Sequence, residues 1–298
     1  MSRPHTSVLG AAIAKLFVDQ LSHLPLARVV DATIGAGGHS LLLFEAFKST
    51  SCKLHITGVD QDASALEIAG QSLSQSLENP TSYDLHHCNF ADFDGYQAAN
   101  GILLDLGVSS MQLDQPERGF SFRNEGPLDM RMDQSKGVSA RTIVNEWPVD
   151  LIGEVLKRYG DERNHRKIAS QIMARREQKP LETTLDLVTA IAPVLDWKHS
   201  VRIHPATRTF QALRIAVNGE IGSLEKVLPV ASKSLCTGGM LAVISFHSIE
   251  DSVVKNYFKN DPSLRVLKTK AITPCAVELA NNQRSRSAKL RVAIKVEQ

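Results

Sequence analysis

A chain of 298 residues, 43% hydrophobic and 22% charged, has enough apolar material for a substantial core and too little charge for extended disorder. Its net charge is +2, no run of eighteen apolar residues offers a membrane span, and Met1 to His5 lack the basic-then-apolar pattern of a secretory signal, so a cytoplasmic location is expected. The cysteines Cys52, Cys88, Cys236 and Cys275 are far apart and lack metal-site spacing, so free thiols and no bound metal are expected.

Taken in chain order, Arg28 to Ala32 (RVVDA) reads as a first strand ending in an acid. Ile34 to His39 (IGAGGH) supplies glycines for a tight turn, and Ser40 to Phe47 continues as a helix. Lys53 to Asp60 (KLHITGVD) is a second strand, again ending in an acid, and Ala63 to Leu77 repeats apolar residues at helical spacing. Tyr83 to His87 is a weak third strand, and Gly101 to Leu106 (GILLDL) a firmer fourth. Strands alternating with helices in this way predict an α/β fold with a mostly parallel sheet covered on both faces. Ligands of such sheets sit outside the carboxyl ends of the strands, and Asp31, Asp60 and Asp105 all stand at such ends.

After Val108 the rhythm changes. Met111 to Lys136 is dense in Gly, Pro, Arg and Asp, and helical patterns follow at Pro148 to Tyr159, Asn164 to Arg176, Thr184 to Ala192 and Thr207 to Val217. The sheet resumes at Gly239 to Phe246, with a helix from Ser248 to Lys259 and closing strands at Arg265 to Ala271 and Lys289 to Val296. These patterns predict a sheet domain over 1–115 and 216–298, interrupted by a helical domain over 116–215. Charge is uneven: Pro116 to Arg214 holds 17 basic and 13 acidic residues and Lys255 to Gln298 holds 10 and 3, so the rest of the chain is acidic. A basic tail on an acidic body points to a local anionic partner.

The glycine turn is the first candidate site. Gly35, Gly37 and Gly38 let main chain approach a ligand, and the helix that follows can aim free N–H groups at a carboxylate or phosphate. Asp60, 22 residues after Gly38, stands where an acid can accept hydrogen bonds from both hydroxyls of a ribose. A dinucleotide would satisfy the same geometry, although GAGGH departs from the GxGxxG fingerprint.

The sequence resembles the bacterial methyltransferases that modify N4 of a cytosine in small-subunit ribosomal RNA. The resemblance rests on HTSVL (5–9), DATIGAGGHS (31–40), GVDQD (58–62), LLDLGVSSMQLD (103–114) and RGFSFRNEGPLDMRMD (118–133). It continues through LKRYGDER (156–163), HPATRTFQALRIAVNGE (204–220), ISFHSIEDSVVK (244–255) and RSRSAKLR (284–291). It implies a class I (Rossmann-like) methyltransferase sheet with an inserted helical domain, and S-adenosyl-L-methionine as cofactor. The partner it implies is small-subunit ribosomal RNA within an assembled or nearly assembled subunit, with a homodimer left open. The cofactor contacts it implies are Gly37, Gly38, His39, Asp60, Phe90, Asp105 and Gln112. The chain departs from the family at Ala32, where glycine is usual, and at Ile34, where an aromatic is common; Ala32 would crowd the turn if that position needed positive φ. The stretch between Lys259 and Arg284 is shorter than in many relatives.

The amine of cytosine is a poor nucleophile, so orienting it and accepting hydrogen bonds from its N–H groups are the useful contributions. Asp105, in Asp105–Leu106–Gly107–Val108, is the catalytic candidate, whether it holds the cofactor amine, the substrate amine or both. A flipped base needs flat partners, and Phe120, Phe122, Phe210, Arg118, Arg123, Arg131 and Arg208 are candidates. His247 is read either as a proton relay or as a structural histidine. Arg284, Arg286, Lys289 and Arg291 are candidate contacts to RNA phosphates. Two rival readings are a different acceptor for the same cofactor, and an RNA-binding assembly factor without turnover.

Overall fold

The computed structural model describes residues 7–77, 82–195, 197 and 204–297, so His5 and Thr6 of the HTSVL stretch lie outside the described residues. The chain divides into two compact units, Met1–Gly107 with Ile221–Gln298, and Val108–Glu220. No helix among the described residues is long and apolar enough to cross a membrane.

The first unit is built on seven strands: β1 (Leu26–Asp31), β2 (Lys53–Asp60), β3 (Tyr83–His87), β4 (Ala99–Asp105), β5 (Leu235–Ser245), β6 (Leu264–Val266) and β7 (Lys289–Lys295). Their order is β3-β2-β1-β4-β5-β7-β6. The first five are parallel, and β7 runs antiparallel to both β5 and β6. The sheet therefore reverses direction in its interior, between β5 and β7. The last strand is shorter than Arg265 to Ala271 predicts: Lys268 to Lys270 are polar and exposed, with nothing to bury in the sheet.

Alternation along each strand explains the continuous apolar runs. Leu103 of β4, Met240, Ala242 and Ile244 of β5, and Leu290, Val292 and Ile294 of β7 share one face. That face is covered by α1 (Gly10–Leu21), α2 (Gly38–Phe47) and α3 (Ala63–Ser76), through residues such as Phe17, Leu43 and Leu73. Ile102, Leu104, Leu241, Val243 and Ala293 take the other face, under α10 (Glu220–Ser234) and α11 (Ser248–Asn260). Successive side chains of a strand point to opposite faces, so a strand sandwiched between helix layers must be apolar at nearly every position. Each fully buried Leu, Ile or Phe contributes about 1.5–3 kcal/mol of transfer free energy. A short helix, α12 (Ala276–Asn281), precedes the turn Gln283–Ser287 and β7.

The second unit is helical: α4 (Ser110–Asp114), α5 (Ala140–Glu146), α6 (Val149–Gly160), α7 (His165–Arg176), α8 (Thr184–Ile191) and α9 (Thr207–Asn218). Ile143, Ile152, Leu156, Ile168, Ile172, Leu187 and Leu213 form its core. The arginine- and glycine-rich stretch before α5 joins that core through Phe120, Leu128, Met130 and Met132.

Candidate functional site

The site forms where β1, β2 and β4 end. After Asp31 the chain leaves β1 in a turn held by three backbone bonds: Ala32 N–H to Leu103 O, Ile34 N–H to Val59 O, and Gly37 N–H to Ile34 O, at 2.9–3.0 Å. Gly37 has φ +84, in the left-handed region where a Cβ costs roughly 1–2 kcal/mol, and it directly precedes α2. No side chain caps α2, so its first N–H groups have no partner within the helix. Ala32 is absent from the positive-φ positions and is 1% exposed, so alanine fits this turn without crowding it.

Three carboxylates meet this turn. Asp60, ending β2, accepts the Gly35 N–H on Oδ2 and the Asp62 N–H on Oδ1, both at 2.9 Å. It fixes the glycine turn to the second strand, with one lone pair left on each oxygen. Burial pushes its pKa up to about 6; the two backbone bonds oppose that rise and the nearby Asp62 and Asp31 reinforce it. Asp31 accepts the Ser40 hydroxyl on Oδ2 at 2.7 Å. Its other oxygen is buried with no hydrogen-bond partner among the described residues. Burial raises its pKa also, against His39, Ser40 and Thr33.

Asp105 ends β4, its backbone N–H donating to Thr33 Oγ1 at 2.6 Å, which ties β4 to the turn after β1. Its Oδ2 lies 3.5 Å from His39 Nδ1, while Oδ1 is buried without a partner among the described residues. Burial drives its pKa up to about 6; His39 opposes this, and Asp31 and Glu250 reinforce it. His39, in the first turn of α2, is held on its other side by the Val8 carbonyl, 2.9 Å from Nε2.

Of the residues predicted for the site, Gly37, Gly38, His39, Asp60 and Asp105 are brought together here. Phe90 lies in the loop that leaves β3 beside Asp60, where the Cys88 N–H donates to the Asp60 carbonyl. It is partly buried on the cluster containing Val30 and Leu104, and its carbonyl accepts the Tyr96 hydroxyl. Gln112 belongs to the second unit, in α4, where its side chain closes a capping box with Ser109. Asp31 and Val8 are the neighbours not singled out beforehand. In the sequence Asp31 stands out only as a strand-end acid, and Val8 acts through a carbonyl that no side-chain pattern reveals.

Several substrate candidates are corrected. Phe120 and Phe210 are 7% and 4% exposed in the helical core, so they pack the second unit and are not free to stack on a base. Phe122 is partly buried against His204 and Phe210. Arg118 is buried, donating to the carbonyls of Arg131 and Met132. Arg131 forms a two-pronged bond with Asp129 at 2.9 and 2.7 Å. Arg123 remains exposed, and Arg208 donates to the Asp161 carbonyl. His247 caps α11, Nδ1 accepting the Glu250 N–H while the Glu250 carboxylate takes the N–H groups of Phe246 and His247. The cap supports the structural reading of this histidine. In the tail, Lys289 and Arg291 bind Asp251 at 2.9 and 2.6 Å and belong to the fold, whereas Arg284 and Arg286 are exposed.

The sequence profile of the MraW methylase family matches residues 2–296. A protein named ribosomal RNA small subunit methyltransferase H from Trichormus variabilis is 48% identical over 268 residues, covering 89% of this chain and 85% of that protein. Proteins of the same name from Nostoc punctiforme and from Synechocystis are each 45% identical, covering 98% of this chain and 94% and 93% of theirs. The similarity thus runs through both units and the whole of the acid-lined turn, and the chain belongs to the MraW methylase family.

Proposed function

We propose that this protein transfers a methyl group from S-adenosyl-L-methionine to the exocyclic N4 amine of a cytosine in small-subunit ribosomal RNA, in the cytoplasm. The observation that carries this reading is the family match across residues 2–296, because it includes every strand end that lines the site. The residues suit such a cofactor. Gly37 lets the main chain approach the cofactor, and the uncapped start of α2, at Gly38 and His39, offers N–H donors for its carboxylate. Asp60 keeps free lone pairs for ribose hydroxyls, and the partly buried Phe90 beside it offers a face for the adenine. Within the first unit, Asp105 completes the set.

When bound, the cofactor supplies an electrophilic methyl on a positively charged sulfur. The protein's own contribution is to place the amine. Asp105 Oδ1, buried and without a hydrogen-bond partner among the described residues, accepts an N–H of the cytosine amine and offsets the positive charge that grows on nitrogen. The helical unit and the exposed Arg284 and Arg286 serve RNA recognition, and the assembled small subunit is the substrate we favour over free RNA. Incubating the protein and labelled cofactor with small subunits from cells lacking the activity, then mapping the label, tests this. Label on N4 of a single cytosine is expected; label on another atom, or none, would refute it.

A further inference from the structure

The environment of His39 restricts where its protons can be. Its Nε2 lies 2.9 Å from the Val8 carbonyl oxygen, and a carbonyl only accepts, so Nε2 carries a hydrogen and donates it. Nδ1 then faces Asp105 Oδ2 at 3.5 Å. A bare Nδ1 would set two lone pairs against each other there, whereas a hydrogen on Nδ1 would give that carboxylate oxygen a donor. The Val8 carbonyl is itself held. Leu9 has φ +55 and donates its N–H to Glu278 Oε1 at 2.6 Å, so α12 near the C-terminus braces the segment that orients the ring. The charged groups facing the pair are Asp31 from the end of β1 and Glu250 from α11. Both are acids that favour keeping the shared proton in place.

We propose that His39 is a positioning residue for methyl transfer: fixed by Val8, it occupies Asp105 Oδ2 with a shared proton and so leaves Oδ1 as the oxygen that receives the amine proton. This rests on the function proposed above. As the nitrogen–carbon bond forms, the carbon–sulfur bond breaks and sulfur keeps its electron pair. The nitrogen, momentarily positive, gives a proton to Oδ1. The pair enters the step with one proton and leaves it with two, as a carboxylic acid beside an imidazolium whose Nε2–H still rests on Val8. The second proton returns to water after turnover.

The test has two arms. In the free protein, nitrogen NMR of labelled histidine reads the tautomer directly: His39 should carry its hydrogen on Nε2, and the Nδ1 resonance should change in Asp105→Asn. A bare Nε2, or an Nδ1 resonance identical in parent and Asp105→Asn, would overturn the proposal. In single-turnover transfer to small subunits, His39→Gln keeps a donor toward Val8 but offers nothing at the Nδ1 position. Its rate should fall about 10- to 100-fold. His39→Asn places a donor near Nδ1 and should recover most of that loss. A His39→Gln rate equal to the parent's at saturating cofactor, or no recovery in a folded His39→Asn, would also overturn it. A parent protein that fails to methylate the particle would refute the functional reading instead and leave the NMR arm standing.

Discussion

Asp105→Asn should make the protein more stable while removing most of its activity. In the folded chain the Asp105 carboxyl has its pKa pushed from 3.8 up to about 6. A gap of about two pH units corresponds to about 3 kcal/mol of preference for the protonated form. The side chain is 24% exposed, and solvent screening brings the usable figure to about 1–3 kcal/mol. Below about pH 4 the carboxyl is protonated in both folded and unfolded chains and contributes no penalty. As pH rises through the window between 3.8 and about 6, the unfolded chain ionises first and the folded state loses stability. Above about pH 7 the penalty is complete. Asparagine cannot ionise, and its amide N–H can face His39 Nδ1. Urea unfolding of parent and variant at pH 5 and pH 8 should therefore show the variant ahead at pH 8, and its lead smaller at pH 5. The same substitution should lower single-turnover methyl transfer by about 10²-fold or more at saturating cofactor, the scale of a lost transition-state contact. A variant less stable than the parent at pH 8, or a lead that does not depend on pH, would refute the account of a buried, strained charge. A transfer rate within about twofold of the parent would refute the direct role.

Three further outcomes follow from the same geometry. Asp60→Ala should weaken S-adenosylmethionine binding by about 1–3 kcal/mol, since it loses charge-assisted bonds and releases the Gly35 N–H; unchanged affinity by calorimetry in a folded variant would contradict this. Neutralising the exposed Arg284 and Arg286 should weaken RNA binding and flatten its salt dependence without changing cofactor affinity, as read from binding isotherms at several salt concentrations. Arg291→Ala should instead lower stability, by about 3 kcal/mol, because the largely buried Asp251 loses the nearer of its two partners; thermal unfolding at neutral pH measures it.

The parts of this fold legible from sequence were those with a local cause. The run ending at Asp105 announces a strand because both its faces are covered, the run ending at Asp60 because buried Leu54 and Ile56 alternate with Lys53, His55 and Thr57, and the glycines between Ile34 and His39 announce the turn because Gly37 requires positive φ. Helix α10 escaped notice: Gly222 and Pro229 interrupt a pattern that packing of Leu224, Val227 and Leu228 nevertheless holds helical. The amphipathic α1 buries Ile13, Phe17 and Leu21 on one stripe but carries no chemical motif. At the site, residue types pointed to Asp60, Asp105 and the glycines. The pairing of His39 with Val8 and Asp105 depends on contacts between residues distant in sequence and could not be read from local pattern. The aromatics of RGFSF misled for a related reason. Phe120 has the composition of a stacking residue, and only the tertiary packing assigns it to the core.

The interruption of the sheet has a consequence for how the protein is made. Strand β4 ends at Asp105 and its parallel partner β5 begins at Leu235. During synthesis the ribosome must add about 130 residues before that edge can pair, a delay on the order of ten seconds. Throughout it, a nascent chain presents Ile102, Leu103 and Leu104, apolar toward both faces, along an open strand edge. The bond from Leu106 N–H to the Ile244 carbonyl, which anchors the chain just beyond Asp105, cannot form until β5 emerges. Chains arrested between residues 108 and 220 should thus recruit chaperones that bind exposed strands and should fail to retain cofactor, and both properties should reverse together once β5 has left the exit tunnel.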